Sequence, residues 1–197
     1  MKRSMALAPL LSVLWLFLAV SNAQTRPNKN QLLPYDDADG YQVLSSIIDA
    51  STNKLKSESV SIFHHTLSEE AFRGVRFQCS GSIPAEFQSA AEDFDNKAKT
   101  KFLLQQEFSI QKKYKLVALS RETPVNIGNQ SQTASSSATF SVSAVGFDET
   151  KAHAIALVRY IMRSGGTICG SSTFHLLRKT GQGWREATEI PKCGRIY

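Results

Sequence analysis

The sequence predicts an α+β fold, with two helices in the N-terminal half packed on an antiparallel sheet that ends in a four-strand meander. Two stretches before residue 100 repeat apolar residues every three or four positions, as amphipathic helices do. The last third alternates apolar and polar residues instead, in segments separated by short turns. Because both helices precede this meander, we expect them to cover one face of the sheet.

Residues 1–23 predict a secretory signal peptide. A positively charged start precedes a nearly continuous apolar run, Met5–Val20, and small residues follow at the positions that cleavage requires. The run is shorter than the roughly 20 residues that cross a bilayer, although an uncleaved N-terminal anchor is the alternative. Cleavage between Ala23 and Gln24 removes 23 of the 197 residues and leaves 174. We therefore expect an exported protein, periplasmic or extracellular, with no membrane span after signal cleavage.

The mature chain carries a mild positive charge that is spread along the sequence. Loss of Lys2 and Arg3 lowers the formal charge from +6 to +4. A nucleic-acid binder would usually show a denser basic patch with interleaved aromatic residues, so we expect no nucleic-acid partner. The length is that of one domain, which can bury about 70% of its unfolded surface. We assign residues 24–39 to a flexible lead-in and residues 40–197 to a single α+β domain.

The first predicted elements are the lead-in, a helix and a strand. Two prolines and three aspartates between residues 24 and 40 are typical of a flexible segment. Asp39 can then cap a helix over about Gly40–Asn53. Its apolar residues have the spacing of one buried stripe: Tyr41, Leu44, Ile47 and Ile48. The alternation over Ser59–His64 predicts a strand.

A second helix is predicted to start near Pro84, because the first turn of a helix tolerates proline. Its apolar stripe is Phe87, Ala90, Ala91, Phe94 and Ala98. From Phe108 to Leu119 the pattern changes to period two, which predicts a long strand with one buried and one solvated face. Residues 122–137 are poor in large apolar side chains, so we expect an exposed loop there.

The meander consists of four predicted strands joined by short turns. The strands cover Thr139–Ala144, Ala154–Met162, Thr173–Lys179 and Trp184–Ile190. The second of these is apolar on both faces except at Arg159, as a central strand should be. Thr180–Gly183 is a tight hairpin signal. These features predict antiparallel neighbours.

Three cysteines follow the predicted signal peptide, at Cys79, Cys169 and Cys193. Outside the cytoplasm pairing is expected, and three cysteines allow three single pairings with one thiol left over. We favour a Cys169–Cys193 disulfide, because both residues lie in the C-terminal sheet region. Cys79 is then a buried thiol or an intermolecular one.

Fragments of the C-terminal half follow one another in a recurring order. They are Val145-Gly146-Phe147, Ala156-Leu157-Val158, Cys169-Gly170, Leu176-Leu177 and Gly183-Trp184. This order resembles the V-G-F, A-L-V, C-G, L-L and G-x-W pattern of an uncharacterised family of exported bacterial proteins, of the acidobacterial type. The resemblance implies export and brings no assigned activity. Family members often have a cysteine where this chain has Ser164, so a local disulfide of that kind cannot form here, which further favours Cys193 as the partner of Cys169.

The histidines are the first candidates for chemistry. His64 and His65 are adjacent on a predicted strand, where neighbouring side chains point to opposite faces, so both would not normally bind one metal. His175 can meet a histidine of a neighbouring strand across the sheet, which makes His64 and His175 weak metal candidates. In each case a packed or hydrogen-bonded sheet histidine is the simpler interpretation.

Three further features are weak candidates for a functional site: a cysteine near a histidine, an acidic helix turn and a glycosylation sequon. Cys169 follows a Gly-Gly turn and is close in sequence to His175, which are the parts of a thiol nucleophile and its base. Glu92, Asp93 and Asp95 share a helix turn, where a solvated face is the simpler interpretation than a cation site. Asn129 begins a formal glycosylation sequon, which in a bacterial protein is simply loop.

We interpret the chain as a non-enzymatic extracytoplasmic binding domain, because the motifs of the common hydrolases, nucleotide-binding loops and metalloproteases are missing from the sequence. We expect no cofactor. The partner would be a small molecule or an envelope or extracellular protein. The alternatives are a small hydrolase that uses His175 with Cys169, and a structural or envelope-interaction protein.

Overall fold

The structure is a computed structural model, and it describes residues 32–71, 83–118, 136–164, 167–187 and 193–196. The predicted signal peptide with its cleavage site, Cys79 and Asn129 lie outside these residues. Within them, no helix combines the length and the apolar character that a membrane crossing requires.

Two α-helices and ten strands make up the described part of the chain. The helices are α1 (Ala38–Leu55) and α2 (Gln88–Lys97), and 3-10 turns cover Glu69–Ala71 and Ala85–Phe87. The strands are β1 (Leu33–Pro34), β2 (Ser59–Phe63), β3 (Phe102–Leu103), β4 (Tyr114–Val117), β5 (Ser137–Val142), β6 (Gly146–Phe147), β7 (His153–Ser164), β8 (Thr167–Thr180), β9 (Gly183–Glu186) and β10 (Cys193–Ile196). The predicted α+β class is confirmed.

The main sheet has the strand order β10-β8-β7-β5-β2-β4, and β6 and β9 extend it by pairing with β7 and β8. The predicted C-terminal meander is present, because β5, β7, β8 and β9 are antiparallel neighbours. At the other edge β2 runs parallel to both β4 and β5. Parallel neighbours need a crossover connection, and α2 lies in the one between β2 and β4. The sheet is therefore mixed, with its antiparallel part at the C-terminal end.

Each face of the sheet is covered by a different helix. α1 packs on the side that carries Phe140, Ala156 and Leu177, in a core that also contains Val60 and Ile62. The opposite side carries residues that pack with Phe87, Ala90 and Phe94 of the α2 segment: Ile155, Leu157, Leu176 and Phe174. The expectation that both helices cover one face is wrong, since the central strands are apolar on both sides and each side needs its own cover.

Helix α1 begins two residues earlier than predicted, and the chain before it is built into the fold. The Asp37 carboxylate accepts a hydrogen bond from the Gly40 N–H at 3.1 Å and is the N-cap, in place of Asp39. Asp39 instead pairs with Lys151 at 2.8 Å. Tyr35 is only 3% exposed, and its hydroxyl accepts a hydrogen bond from the Val145 N–H at 3.2 Å. The described end of the predicted lead-in, residues 33–39, is therefore part of the folded domain.

Helix α2 approaches the sheet at a glycine. A Cβ added to Gly146 would lie 2.3 Å from the Ala90 carbonyl oxygen and 2.4 Å from the Phe94 nitrogen, which no side chain could occupy without displacing the helix. Beside this contact the Asp93 carboxylate accepts a hydrogen bond from the Phe147 N–H at 2.8 Å. The helix is thus fixed to β6 by close packing and by one side chain.

The strand predicted from Phe108 to Leu119 is shorter, since only β4 (Tyr114–Val117) forms. The backbone N–H groups before β4 donate to side chains of other elements instead of to a strand. Ser109 N–H donates to Ser45 Oγ and Gln111 N–H donates to Asp49 Oδ1, each at 2.9 Å. Phe108 is still buried at 6% exposure. The apolar alternation therefore reports burial against α1 and not a continuous strand.

Candidate functional site

His64 and His65 lie just beyond the end of β2, and their rings contact each other. The ring centroids are 5.1 Å apart in an edge-on arrangement, and His64 Nδ1 is 3.0 Å from the Val117 carbonyl oxygen. The expectation that they point to opposite faces is wrong, because strand geometry stops at Phe63. Burial lowers the pKa of His65, and the nearby Lys101 lowers it further.

The described residues do not assemble the predicted metal site. His64 follows β2 and His175 lies on β8, three strand steps away in the sheet order, which corresponds to about 14 Å. No group of three or more His, Cys, Asp or Glu side chains in this part of the chain is placed to hold a metal ion. In the acidic turn of α2, Asp93 pairs with Lys97 at 2.9 Å and holds β6, which gives it a structural role.

Cys169 and His175 are also far apart. Both lie on β8, and six residues of one strand span about 20 Å. Cys169 is not on a tight turn but pairs with Met162 inside the β7–β8 ladder. A thiol and a base at this separation cannot share a proton, so the structure does not bring the predicted pair together.

The predicted Cys169–Cys193 disulfide is wrong, and Cys169 is a free thiol. β10 pairs with β8 so that Cys193 lies opposite Phe174, five residues along the strand from Cys169. Five residues correspond to about 17 Å along β8, whereas bridged Cα atoms are usually less than about 7 Å apart. The sequence correctly placed Cys193 in the C-terminal sheet. Residue spacing does not show which residue of β8 lies opposite it.

His175 has a different partner, the carboxylate of Glu186. His175 Nδ1 lies 2.8 Å from Glu186 Oε1, with 12% and 28% of the two side chains exposed. Glu186 reaches this position because β9 folds back on β8 and places it opposite Leu177. On the same face of β8, Ser171 Oγ and Thr173 Oγ1 are 2.9 Å apart. A polar row therefore runs along β8 on the side of the sheet that α1 covers.

A second histidine–carboxylate pair closes the turn between β6 and β7. Asp148 Oδ2 lies 2.7 Å from His153 Nδ1, and Asp148 Oδ1 accepts hydrogen bonds from the N–H groups of Ala152 and His153. Burial alone would raise the pKa of Asp148, but these hydrogen bonds outweigh it and hold the pKa below its usual range. The carboxylate is occupied by the turn itself, so this pair is structural.

A polar surface covers the part of the sheet that α2 leaves free, on the side opposite α1. Its hydroxyl groups belong to Ser59, Ser61, Ser137, Thr139, Ser141 and Ser172, of which the last two are buried. Its cationic side chains are Lys115, Arg159 and Arg163. We call this set of nine side chains the polar face. The strand pairing places them on one side, because directly opposed residues of neighbouring strands share a face.

The described strands that carry the polar face contribute charged side chains of one sign. None of the strand residues described on this part of the sheet is Asp or Glu. Lys115 and Arg163 are exposed, and Arg159 is half-buried. Arg159 Nε donates to Ser172 Oγ at 2.9 Å, and Ser172 is fully buried at 0% exposure. The guanidinium group is thus held by a hydroxyl that cannot move into solvent.

Two apolar side chains lie within the same surface. Ile161 is 42% exposed and Ile168 is 54% exposed, and both belong to the end of the β7–β8 hairpin next to Arg163. Single exposed apolar residues are common, but these two lie beside a cationic group on the same side of the sheet. The surface can therefore contact both charged and apolar parts of a ligand.

No protein-family model matches the chain, and no curated protein or solved structure matches it either. The resemblance to exported acidobacterial proteins stays a prediction.

Sequence reasoning named His175 but missed Glu186 and the whole polar face. The signal for the face was present as the alternation of Ser and Thr with apolar residues in β2 and β5. That alternation predicts a solvated side for each strand, but it does not show which strands are neighbours. Only the strand order joins these hydroxyls to Arg159 and Arg163.

Proposed function

We propose that the chain is an exported, non-enzymatic binding domain whose ligand is anionic and binds on the polar face. The observation that carries this proposal is the composition of the face, which has three cationic side chains, four half-buried or exposed hydroxyls and no carboxylate on the same strands. Export is supported by the signal-peptide pattern of residues 1–23.

The chemistry of the face suits anionic oxygen atoms. A guanidinium group presents several N–H donors in a fixed plane, and its hydrogen bonds to charged oxygens are stronger than neutral ones. Serine and threonine hydroxyls add donors between the cationic groups. Because these side chains are short and lie on paired strands, little conformational entropy is lost when a ligand binds.

The first test compares two charge-neutralising double variants. Lys115→Gln with Arg163→Gln removes two charges from the polar face, whereas Lys54→Gln with Lys56→Gln removes two exposed charges near the end of α1. Both proteins have the same net charge. The measurement is the NaCl concentration that elutes each protein from a carboxylate resin.

The face variant should elute at lower salt than the helix variant, because the strands of the polar face add Arg159 and carry no carboxylate that would offset their attraction to an anionic matrix. Equal elution would mean that the resin detects only net charge, and the proposal would be rejected. Circular dichroism melting of both variants checks that they remain folded.

A second candidate function, a small hydrolase, is favoured by the His175–Glu186 pair. A carboxylate that accepts from Nδ1 fixes the imidazole tautomer and leaves Nε2 to act as a general base, as in hydrolytic triads. His175 Nδ1 is 2.8 Å from Glu186 Oε1, and the Ser171–Thr173 hydroxyl pair lies on the same strand face.

The hydrolase candidate is tested with a panel of p-nitrophenyl esters and phosphates. If it is correct, the wild-type chain turns over at least one substrate, and His175→Gln abolishes this while Glu186→Gln reduces it. Hydrolysis no faster than that of free imidazole, or hydrolysis unaffected by His175→Gln, rejects the candidate. His153→Gln is the matched control, because its imidazole is bonded to Asp148 in the same way.

A further inference from the structure

We infer that the anionic ligand is the surface of a lipid bilayer with anionic headgroups, which the end of the β7–β8 hairpin enters, an inference that rests on the proposed binding function. The first argument is the pair of exposed isoleucines. Ile168 lies directly opposite Arg163, and Ile161 is two residues from Arg163 on the same strand, so all three side chains lie on one side of the sheet. A hydrophilic anion would leave both isoleucines in water, whereas the acyl region of a bilayer buries them.

The shape of the surface separates a bilayer from a single amphiphilic molecule. Small ligands with an apolar part are bound in concave sites that bury most of their surface. Ile161 and Ile168 instead stand on the face of a sheet, and about half of each side chain remains exposed. A bilayer surface can cover such side chains without a pocket.

The cationic side chains of the polar face complement anionic headgroups. Lys115 and Arg163 are exposed, Arg159 is half-buried, and the strands that carry them have no carboxylate. Lysine and arginine have apolar stems, so their charged ends can stay at the level of the headgroups while neighbouring apolar side chains enter the bilayer. Each cation near an anionic bilayer strengthens binding by about fivefold.

A folded protein partner fits the order of these groups less well. Protein interfaces bury apolar side chains at their centre and surround them with a polar rim. Here the two isoleucines lie towards the end of the described surface, since β7 ends at Ser164 and β8 begins at Thr167. Arg159 and its partner Ser172 lie further from that end. Apolar side chains near one end, with polar groups behind them, suit a hairpin that enters a bilayer by that end.

The experiment is sedimentation of the purified exported protein with two kinds of vesicle, one of phosphatidylcholine alone and one of equimolar phosphatidylcholine and phosphatidylglycerol. We expect binding to the mixed vesicles only, and weaker binding as NaCl is added, because salt screens the headgroup charge. Soluble glycerol phosphate at the same phosphate concentration should not displace the protein, because it has no acyl chains. Displacement would assign the surface to a free phosphate compound and overturn the lipid assignment.

Ile161→Ser with Ile168→Ser tests the apolar contact without a change of charge. Because both side chains are about half exposed, binding to mixed vesicles should weaken by about tenfold or more. Elution from the carboxylate resin should not change, since every cationic side chain remains. The matched control is Leu33→Ser with Leu103→Ser, which removes two exposed apolar side chains of β1 and β3 and should bind vesicles like wild type. Unchanged vesicle binding by the isoleucine variant would overturn the inference.

The outcomes for the two proposals differ. Lys115→Gln with Arg163→Gln should weaken binding to mixed vesicles by about tenfold or more. If no vesicle binds but this double variant still elutes early from the resin, the binding face stands and the lipid assignment is wrong. If it changes neither resin elution nor vesicle binding, the proposed function fails as well. Dimers in analytical ultracentrifugation that the isoleucine variant abolishes would assign the isoleucines to a second copy of the chain and overturn the inference.

Discussion

The two sides of the central strands differ in polarity: one side packs in the core under α1, and the other carries the polar face. On the α1 side of β5, Phe140 is fully buried at 0% exposure and belongs to the larger core. One residue earlier, Thr139 is half-buried on the polar face. Successive side chains of a strand point to opposite faces, so the same segment supplies both surfaces. A single strand can thus contribute both to the core and to a polar surface.

Helix length explains why, among the described residues, α1 covers more of the sheet than α2 does. α1 has 18 residues and is therefore about 27 Å long, whereas α2 has 10 residues and is about 15 Å long. β7 has 12 residues and spans about 40 Å. The shorter helix covers β6, where Gly146 admits it, and the adjoining parts of β7 and β8. The described surface beyond it on that side carries the polar face together with the exposed Ile161 and Ile168.

The largest expected effect tests this contrast directly. Phe140→Ala should lower the free energy of unfolding by about 3–5 kcal/mol, because it leaves a cavity under α1. Thr139→Ala, one residue away on the other side, should change it by less than about 0.5 kcal/mol. Urea denaturation of both variants gives the comparison. Similar losses for the two would show that the polar face is packed like a core.

A smaller effect is expected where α2 meets the sheet. Gly146→Ala should destabilise the fold by about 1–3 kcal/mol, because the added methyl group meets backbone atoms of α2. Hydrogen exchange should show the loss of protection concentrated in α2 and not in α1. The control is Gly181→Ala, since a Cβ at Gly181 would meet nothing within 4 Å. Unchanged protection of α2 would contradict the close approach.

The smallest effect concerns the turn between β6 and β7, and it depends on pH. Asp148→Asn should cost about 1 kcal/mol at neutral pH, because the carboxylate accepts from both His153 and Ala152. The pKa of Asp148 is lower in the folded protein than the value of about 3.9 in an unfolded chain. Its contribution is therefore complete above about pH 4 and is lost as the pH falls through the folded-state pKa.

Melting temperatures between about pH 7 and pH 2 test this sign. The difference between wild type and Asp148→Asn should be constant at neutral pH and should shrink below about pH 4. A Thr139→Ala control should show the same acid dependence as wild type, because the polar face strands carry no carboxylate. A difference that grows towards low pH would contradict the depressed pKa.

Local patterns predicted the elements that depend on nearby residues. The stripes of α1 and α2 and the apolar run of β7 arise from residues a few positions apart, so the elements were found with small errors at their ends. The errors have local causes as well. Asp37 competes with Asp39 as the cap of α1, and the segment before β4 bonds to side chains of α1.

Long-range relations could not be read from the same patterns. The pairing of Cys193 with Phe174 depends on how β10 is placed along β8, and no spacing in the sequence encodes that register. The His175–Glu186 contact depends on the return of β9, and the polar face depends on β2 lying beside β5. Each joins residues whose separation in sequence has no relation to their distance in space.

The sequence by itself determined the α+β class, the two helices, the C-terminal meander and the solvated side of each strand, because periodicity and turn residues act over a few positions. The tertiary structure alone decided that α1 and α2 cover opposite faces, that Cys169 stays a thiol and that Lys115, Arg159 and Arg163 share a surface. The physical reason is that strand order and register follow from how distant segments bury their apolar sides together.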